Sequence, residues 1–276
     1  MFALGSPGAL KADPPSCISH QFALQQCPRF ALWSFNTCKT AQSFGEQTYW
    51  ESSYVDALNE ERGQNNVDPL ATDGTPAAAF SWYCQWEDLS PFLSELLEKN
   101  NIPSNPKILV PGVGNDPTIL HMYKQSGYSN IYAFDYAPSA VECCQKFLGE
   151  DLMRSKHIQL SVADARDLSG VYDDAIFDAV LDKGTLDSIY LIGDGKESKY
   201  HNLEQAVKEL SRVTQPGGFV MSVTAVATDA IDQLFDNMGD VWTKVLDTRE
   251  EVYITDDGFA SVNVDATLLG WVRSSS

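Results

Sequence analysis

The stretch Lys107-Ile108-Leu109-Val110-Pro111-Gly112-Val113-Gly114-Asn115-Asp116 decides the fold. Its first half is a short apolar run, the pattern of a strand buried on both faces, and residues 107–110 are read as that strand. The glycines then let the backbone approach another group closely, and a following helix offers free N–H groups. The turn alone does not name a ligand. A nicotinamide-dinucleotide fingerprint would need a third glycine at position 117, where Pro117 stands. No GK[ST] follows, which excludes a phosphate-cradling P-loop.

Downstream, apolar runs alternate with amphipathic ones. The pattern predicts helices over 116–126, 138–149 (Pro138 in its first turn) and 202–213, the last stopping before Pro216-Gly217-Gly218. It predicts further strands over 130–134, 157–162, 177–181, 219–224, 241–247 and 267–272. Strands separated by helices imply a parallel sheet with right-handed crossovers. Between the last two strands no helical period appears, so they are expected as an antiparallel hairpin at one edge. The expected fold is therefore α/β: a doubly wound, Rossmann-like, seven-stranded and mostly parallel sheet with an antiparallel C-terminal hairpin.

Residues 59–78 are rich in Asn, Asp, Gly and Pro and read as a surface loop. Aromatic clusters flank it, Tyr49-Trp50 with Tyr54 on one side and Phe80 to Trp86 on the other. They are expected to cover the sheet as a helical lid, to touch a ligand, or both. The division expected is an N-terminal extension over 1–45, an aromatic-rich lid and loop over 46–105, and the main domain over 106–276.

Of 276 residues, 43% are hydrophobic, enough for one ordinary core. The formal net charge is -19, from 19 basic and 38 acidic residues. The first 45 residues hold Lys11, Arg29, Lys39 and Asp13, so the remainder carries 16 basic and 37 acidic residues. Such a surface repels phosphate backbones, which speaks against nucleic acid and favours a basic protein partner; solubility is the plainer use of the charge. No apolar run is long enough to span a bilayer. The six cysteines form no CxxC pair, and Cys17 with His20 lacks a second pair to complete a zinc site, so no metal is expected. Adjacent Cys143 and Cys144 read as buried free thiols. Residues 1–45 lack a secretory signal and read as a disordered extension. The cytoplasm is the expected location, with an organelle as the alternative if that stretch is a transit peptide.

Acids stand at the ends of three successive strands. Asp135 lies 21 residues after Gly114, where a carboxylate can accept both ribose hydroxyls of an adenosine ligand; capping the helix that begins near Pro138 is the other reading. Asp164, in Val162-Ala163-Asp164-Ala165-Arg166-Asp167, can accept from an adenine amino group while the Ala165 N–H donates to a ring nitrogen; alone it is an ordinary loop acid. Asp182 ends the fourth strand beside the first, across the switch point, facing the reactive part of a ligand. It is the candidate catalytic residue, orienting an incoming amine, with Lys183 tuning it; a mutual salt bridge of two exposed neighbours is the alternative.

Together these segments resemble the class I S-adenosylmethionine (SAM)-dependent methyltransferases. Val180-Leu181-Asp182-Lys183-Gly184-Thr185-Leu186-Asp187 and Thr48-Tyr49-Trp50-Glu51 with Tyr54 resemble the methyltransferase-like branch that modifies lysine on elongation factor 1-alpha, as does the run from Glu204 to Val213. The similarity spans roughly residues 46–273. It implies a SAM site of Trp50, Tyr54, Trp82, Gly112, Gly114, Asp135, Tyr136, Asp164, Ala165 and Lys183, with Lys183 closing the pocket. It implies a protein-lysine N-methyltransferase; a small-molecule methyltransferase and a silent SAM-binding module are the alternatives. Ser52-Ser53 stand where the branch carries an arginine before Tyr54, and no NPPY-like stretch of the base and glutamine methyltransferases is present.

Overall fold

Strand β1 (Ile108–Pro111) is buried along its whole length, because it lies at the centre of the sheet with neighbours on both edges and helices on both faces. A computed structural model supplies this architecture; it describes residues 44–63, 79, 81–193, 195–249, 254–255, 258–259 and 266–275. After β1 come α-helix Thr118–Ser126, β2 (Ile131–Asp135), helix Pro138–Ser155, β3 (Ile158–Val162) and β4 (Phe177–Lys183). The short helix Thr185–Tyr190, helix Lys196–Val213, β5 (Thr214–Thr224), helix Thr228–Asp236 and β6 (Trp242–Asp247) follow. A two-residue pair, β7 (Ile254–Thr255) and β8 (Gly258–Phe259), precedes β9 (Thr267–Arg273). Upstream lie two helices. In chain order the helices are α1 (Gln47–Gly63), α2 (Trp86–Lys99), α3 (Thr118–Ser126), α4 (Pro138–Ser155), α5 (Thr185–Tyr190), α6 (Lys196–Val213) and α7 (Thr228–Asp236).

The seven-stranded sheet runs β3-β2-β1-β4-β5-β9-β6. β1 pairs in parallel with β2 (Ile108↔Ile131) and β4 (Ile108↔Ala179), β2 with β3, and β4 with β5 (Val180↔Val220). β9 inserts antiparallel between β5 and β6, so Trp271 sits opposite Val220 on one side and Lys244 on the other. The expected mostly parallel sheet with an antiparallel C-terminal pair is thus present, with β6 as the outer strand.

Alternation along the strands divides the core in two. Ile108, Val110, Ala179 and Leu181 pack with Leu93 of α2, Met122 of α3 and Cys144 of α4. Leu109, Val180, Val220 and Trp271 pack on the opposite face with Leu203 and Leu210 of α6 and Phe235 of α7. That alternation continues into Asp182 and Lys183, and it decides where their charges go.

Some boundaries differ from the sequence reading for local reasons. α4 runs on to Ser155 beyond Gly149, which breaks the helix with φ 75° and ψ 161°. β5 starts at Thr214 and carries Pro216-Gly217-Gly218 in a break of register between its pairings Phe177↔Thr214 and Ala179↔Phe219; a Cβ at Gly218 would lie 2.8 Å from the Asp178 carbonyl. The expected loop over 59–78 begins later, since α1 continues to Gly63, and residues 64–78 lie outside the described residues. Phe80, the thiols Cys17, Cys27 and Cys38, and His20 also lie outside them. Cys143 and Cys144 are buried and unbridged, as read. Among the described residues no helix is long and apolar enough to cross a membrane.

Candidate functional site

The turn after β1 needs its glycines because the protein's own side chains press against it. Gly112 has φ 57°, and a Cβ there would stand 2.2 Å from Thr185 Oγ1, which itself donates to the Pro111 carbonyl at 2.8 Å. Gly114 has φ 55°, and its Cβ would meet the Tyr54 hydroxyl oxygen at 2.6 Å. α3 has Pro117 at its N-cap, without a side-chain cap of its own. Asp116 serves instead, its Oδ1 accepting the Thr118 N–H at 2.8 Å. Beside it the Thr118 hydroxyl is buried with no hydrogen-bond partner among the described residues.

At the end of β2, Asp135 is 4% exposed. Its Oδ2 accepts the Gly114 N–H and its Oδ1 the Ala137 N–H, both at 2.9 Å. The carboxylate braces the entry to α4, as the capping reading expects, and also ties β2 to the glycine turn. Burial raises its pKa to about 6 against the pull of those backbone donors. Each oxygen retains a lone pair for a further donor. Tyr136 follows, half-buried, its phenol pushed above the ordinary range by burial and by the charges of Asp135 and Asp164. Glu51 of α1 accepts from the Ser139 N–H (3.2 Å) and hydroxyl (2.9 Å), clamping α1 onto the first turn of α4.

Asp164 is held by Arg166. The guanidinium reaches both carboxylate oxygens, Nη2 to Oδ2 at 2.6 Å and Nε to Oδ1 at 3.0 Å, and its Nη1 continues to Asn202 at 3.1 Å. Burial alone would raise the Asp164 pKa, but the Arg166 bonds outweigh it and hold the carboxyl below its ordinary value. Neighbouring Ala165 is buried. The Arg166 fork was not foreseen, although an Asp-x-Arg spacing was in view.

Asp182, the candidate catalytic residue, is committed to bonds within the fold. It is fully buried, with Oδ1 accepting the N–H groups of Thr185 (3.0 Å) and Leu186 (3.2 Å) and Oδ2 the Ser222 hydroxyl (2.6 Å). It braces the first turn of α5. Burial raises its pKa to about 7. It does not pair with Lys183, which leaves β4 on the other face. The Lys183 ammonium, nearly buried, pairs with Asp116 and donates to the Ser81 hydroxyl and to the carbonyls of Trp82 and Cys84, the last two at 3.2 Å. The reading of the two as an exposed salt bridge is overturned by the same alternation.

Those bonds hold Ser81-Trp82-Tyr83-Cys84 at the mouth of β1 and β4. Tyr83 adopts the left-handed region, φ 64°, and its hydroxyl donates to Asp187 at 2.7 Å. Trp82 packs edge-on against Trp50 (centroids 5.8 Å apart), and Trp50 stacks on Tyr54 at 5.9 Å. The structure thus gathers Trp50, Tyr54 and Trp82 into one aromatic cover linking α1 to the strand ends, and Tyr54 carries it onto Gly114. Asp187 and Glu51 were in the quoted motifs but were given no role; nothing in their spacing reports what they accept. Among the described residues no cluster of three or more His, Cys, Asp or Glu could hold a metal ion.

Residues 109–222 match the family model described as a methyltransferase domain. The mouse eEF1A lysine and N-terminal methyltransferase is 28% identical over 186 residues, covering 67% of this chain and 22% of that protein. The human EEF1A lysine methyltransferase 2 is 28% identical over 179 residues, covering 65% of this chain and 67% of that protein. Its mouse counterpart is 33% identical over 138 residues, covering 49% and 52%. This chain thus spans about a fifth of the length of the first of these relatives.

The match to a methyltransferase domain over residues 109–222 implies S-adenosyl-L-methionine as the cofactor. The residues present fit that group. Asp135 keeps open lone pairs for vicinal hydroxyls, the orphaned Thr118 hydroxyl stands ready for a polar ligand atom, and the aromatic cover offers an apolar wall.

Proposed function

We propose that the protein transfers a methyl group from SAM to a lysine side chain of another protein, with elongation factor 1-alpha as the first candidate acceptor. The observation that carries the reading is Asp135, buried at the end of β2 and bonded to the glycine turn inside the matched methyltransferase segment. The named activities of the relatives support the choice of acceptor, as does the acidic composition, which suits a basic partner.

When bound, SAM supplies a sulfonium-activated methyl group open to in-line attack. The chain's residues bind and orient. Asp135 accepts the ribose hydroxyls, with Tyr136 beside the adenine. Asp164, set by Arg166, and the Ala165 N–H read the adenine edge. The backbone at Gly112 and Gly114 leaves the floor clear, and Trp50, Tyr54 and Trp82 exclude water from above. Lys183 closes the site indirectly, by pinning the carbonyls on either side of Tyr83. Asp182 is a positioning residue: it fixes the N-terminus of α5, whose Thr185 supports the Pro111 carbonyl and packs against Gly112. An acceptor lysine is protonated near neutrality and must lose its proton before attack, so an enclosed, low-dielectric site favours its neutral form.

Incubating the protein with methyl-labelled SAM and purified elongation factor 1-alpha tests the reading. Label mapped by mass spectrometry to a lysine of the factor is expected. Label found only in low-mass products of a cell extract would make the enzyme a small-molecule methyltransferase. SAM binding without transfer to any acceptor would make it a silent module.

A further inference from the structure

The Asp187 carboxylate, 3% exposed, joins two segments far apart in the chain. Its Oδ1 accepts the Thr224 hydroxyl (2.6 Å) and the N–H groups of Val226 (3.2 Å) and Ala227 (2.7 Å). Its Oδ2 accepts the Ala225 N–H (2.8 Å) and the Tyr83 hydroxyl (2.7 Å). The whole loop between β5 and α7 therefore hangs on a carboxylate that also holds the aromatic cover.

Tyr83 is the unusual partner. A left-handed tyrosine is strained and persists only where its surroundings over-determine it. Here Lys183 holds the carbonyls on both sides, Ser81 Oγ donates to the Cys84 carbonyl at 2.8 Å, and the ring covers Gly184, where a Cβ would stand 2.9 Å from it. The loop at the other end of the link follows β5, at the carboxyl edge of the sheet and beyond the switch point from β2 and β3. Ligand-binding crevices open at that edge. In this loop Val226 is 37% exposed, an apolar side chain presented outward.

We propose that Asp187 is a positioning residue which couples the aromatic cover to the 225–227 loop through Tyr83, so that seating the cofactor beneath the cover sets the loop for the acceptor. This rests on the SAM reading above. Coupling of this kind is reciprocal: an acceptor bound against the loop strengthens the hold on SAM by the same factor. The three loop amides bonded to Asp187 report the state of the link directly.

The test is hydrogen exchange of the Ala225, Val226 and Ala227 amides, with and without saturating SAM, in the wild type and in Tyr83→Phe. SAM affinity is measured alongside by calorimetry. Tyr83→Phe removes one hydroxyl and leaves the other donors to Asp187 in place. In the wild type SAM slows these amides by about fivefold or more. In Tyr83→Phe SAM still binds, yet that slowing is lost. Thr224→Val removes a different donor of the same carboxylate without touching the cover, and it keeps the SAM-dependent ratio. Equal slowing in the wild type and Tyr83→Phe, or none in the wild type while SAM binds, overturns the coupling. A merely architectural bond would speed exchange equally with and without SAM, and that result also overturns it. Absence of SAM binding by the wild type removes the cofactor reading itself, a distinct outcome.

Discussion

Asp182 and Lys183 are consecutive on β4 yet serve opposite faces of the sheet: Asp182 turns to Ser222 and the start of α5, Lys183 to Asp116 and the 81–84 segment. One residue of strand alternation thus separates two buried charges that would otherwise compensate each other. Each is satisfied by its own surroundings, and each makes a different prediction.

Lys183→Met removes the ammonium and leaves Asp116 as a buried carboxylate held by the Thr118 N–H. Breaking one side of a buried pair destabilises by about 3–5 kcal/mol. Urea unfolding should show a loss of this size, and adding Asp116→Asn should recover part of it.

The Asp182 carboxyl titrates at about 7 in the fold, above its ordinary value of 3.8, because burial disfavours the charge. The folded state therefore keeps a proton that the unfolded chain has lost. Stability from this group is full below the unfolded value and falls by about 1.4 kcal/mol per pH unit between the two values. Asp182→Asn should flatten that part of the stability profile, measured by denaturation at several pH values. An unchanged slope would reassign the titration to another group.

Asp135 sits at about 6 without ligand, again raised by burial. Hydroxyl donors stabilise its charged form, so binding SAM should pull the pKa down. Affinity should then weaken as the pH falls below 6, by up to about tenfold per unit. Calorimetric titrations at pH 5 and 7.5 check the direction.

Gly114→Ala should cost about 1–3 kcal/mol, from a left-handed backbone and from a Cβ placed 2.6 Å from the Tyr54 hydroxyl oxygen. Tyr54→Phe in the same chain should relieve the steric share and leave the backbone share. Thermal unfolding of the single and double variants separates the two.

The sheet was legible because its central strands are buried on both faces and so read as apolar runs with punctuation between them. Gly112, Gly114 and Asp135 could be placed at strand ends, and the structure brings the last two within a hydrogen bond. Direction was harder to read. The alternation Val180-Leu181-Asp182-Lys183 already implied opposite faces, but a charged pair invites reading as a salt bridge, and its true partners, Asp116 and Ser222, are distant in sequence. Arg166 locking Asp164 is a local pairing that the motif concealed. The role of Asp187 depends on Tyr83 and on the 225–227 loop, and no spacing rule connects them. α7 went unread because Thr228–Asp236 is short and follows a strand without a strong cap.

The most direct test of the central claim is calorimetric titration of the wild type with SAM, with Asp135→Ala, shown to be folded by circular dichroism, as the comparison. Saturable binding by the wild type that the folded variant loses is the predicted result. A folded wild type that gives no binding, or a variant that binds equally well, would contradict the site built around Asp135.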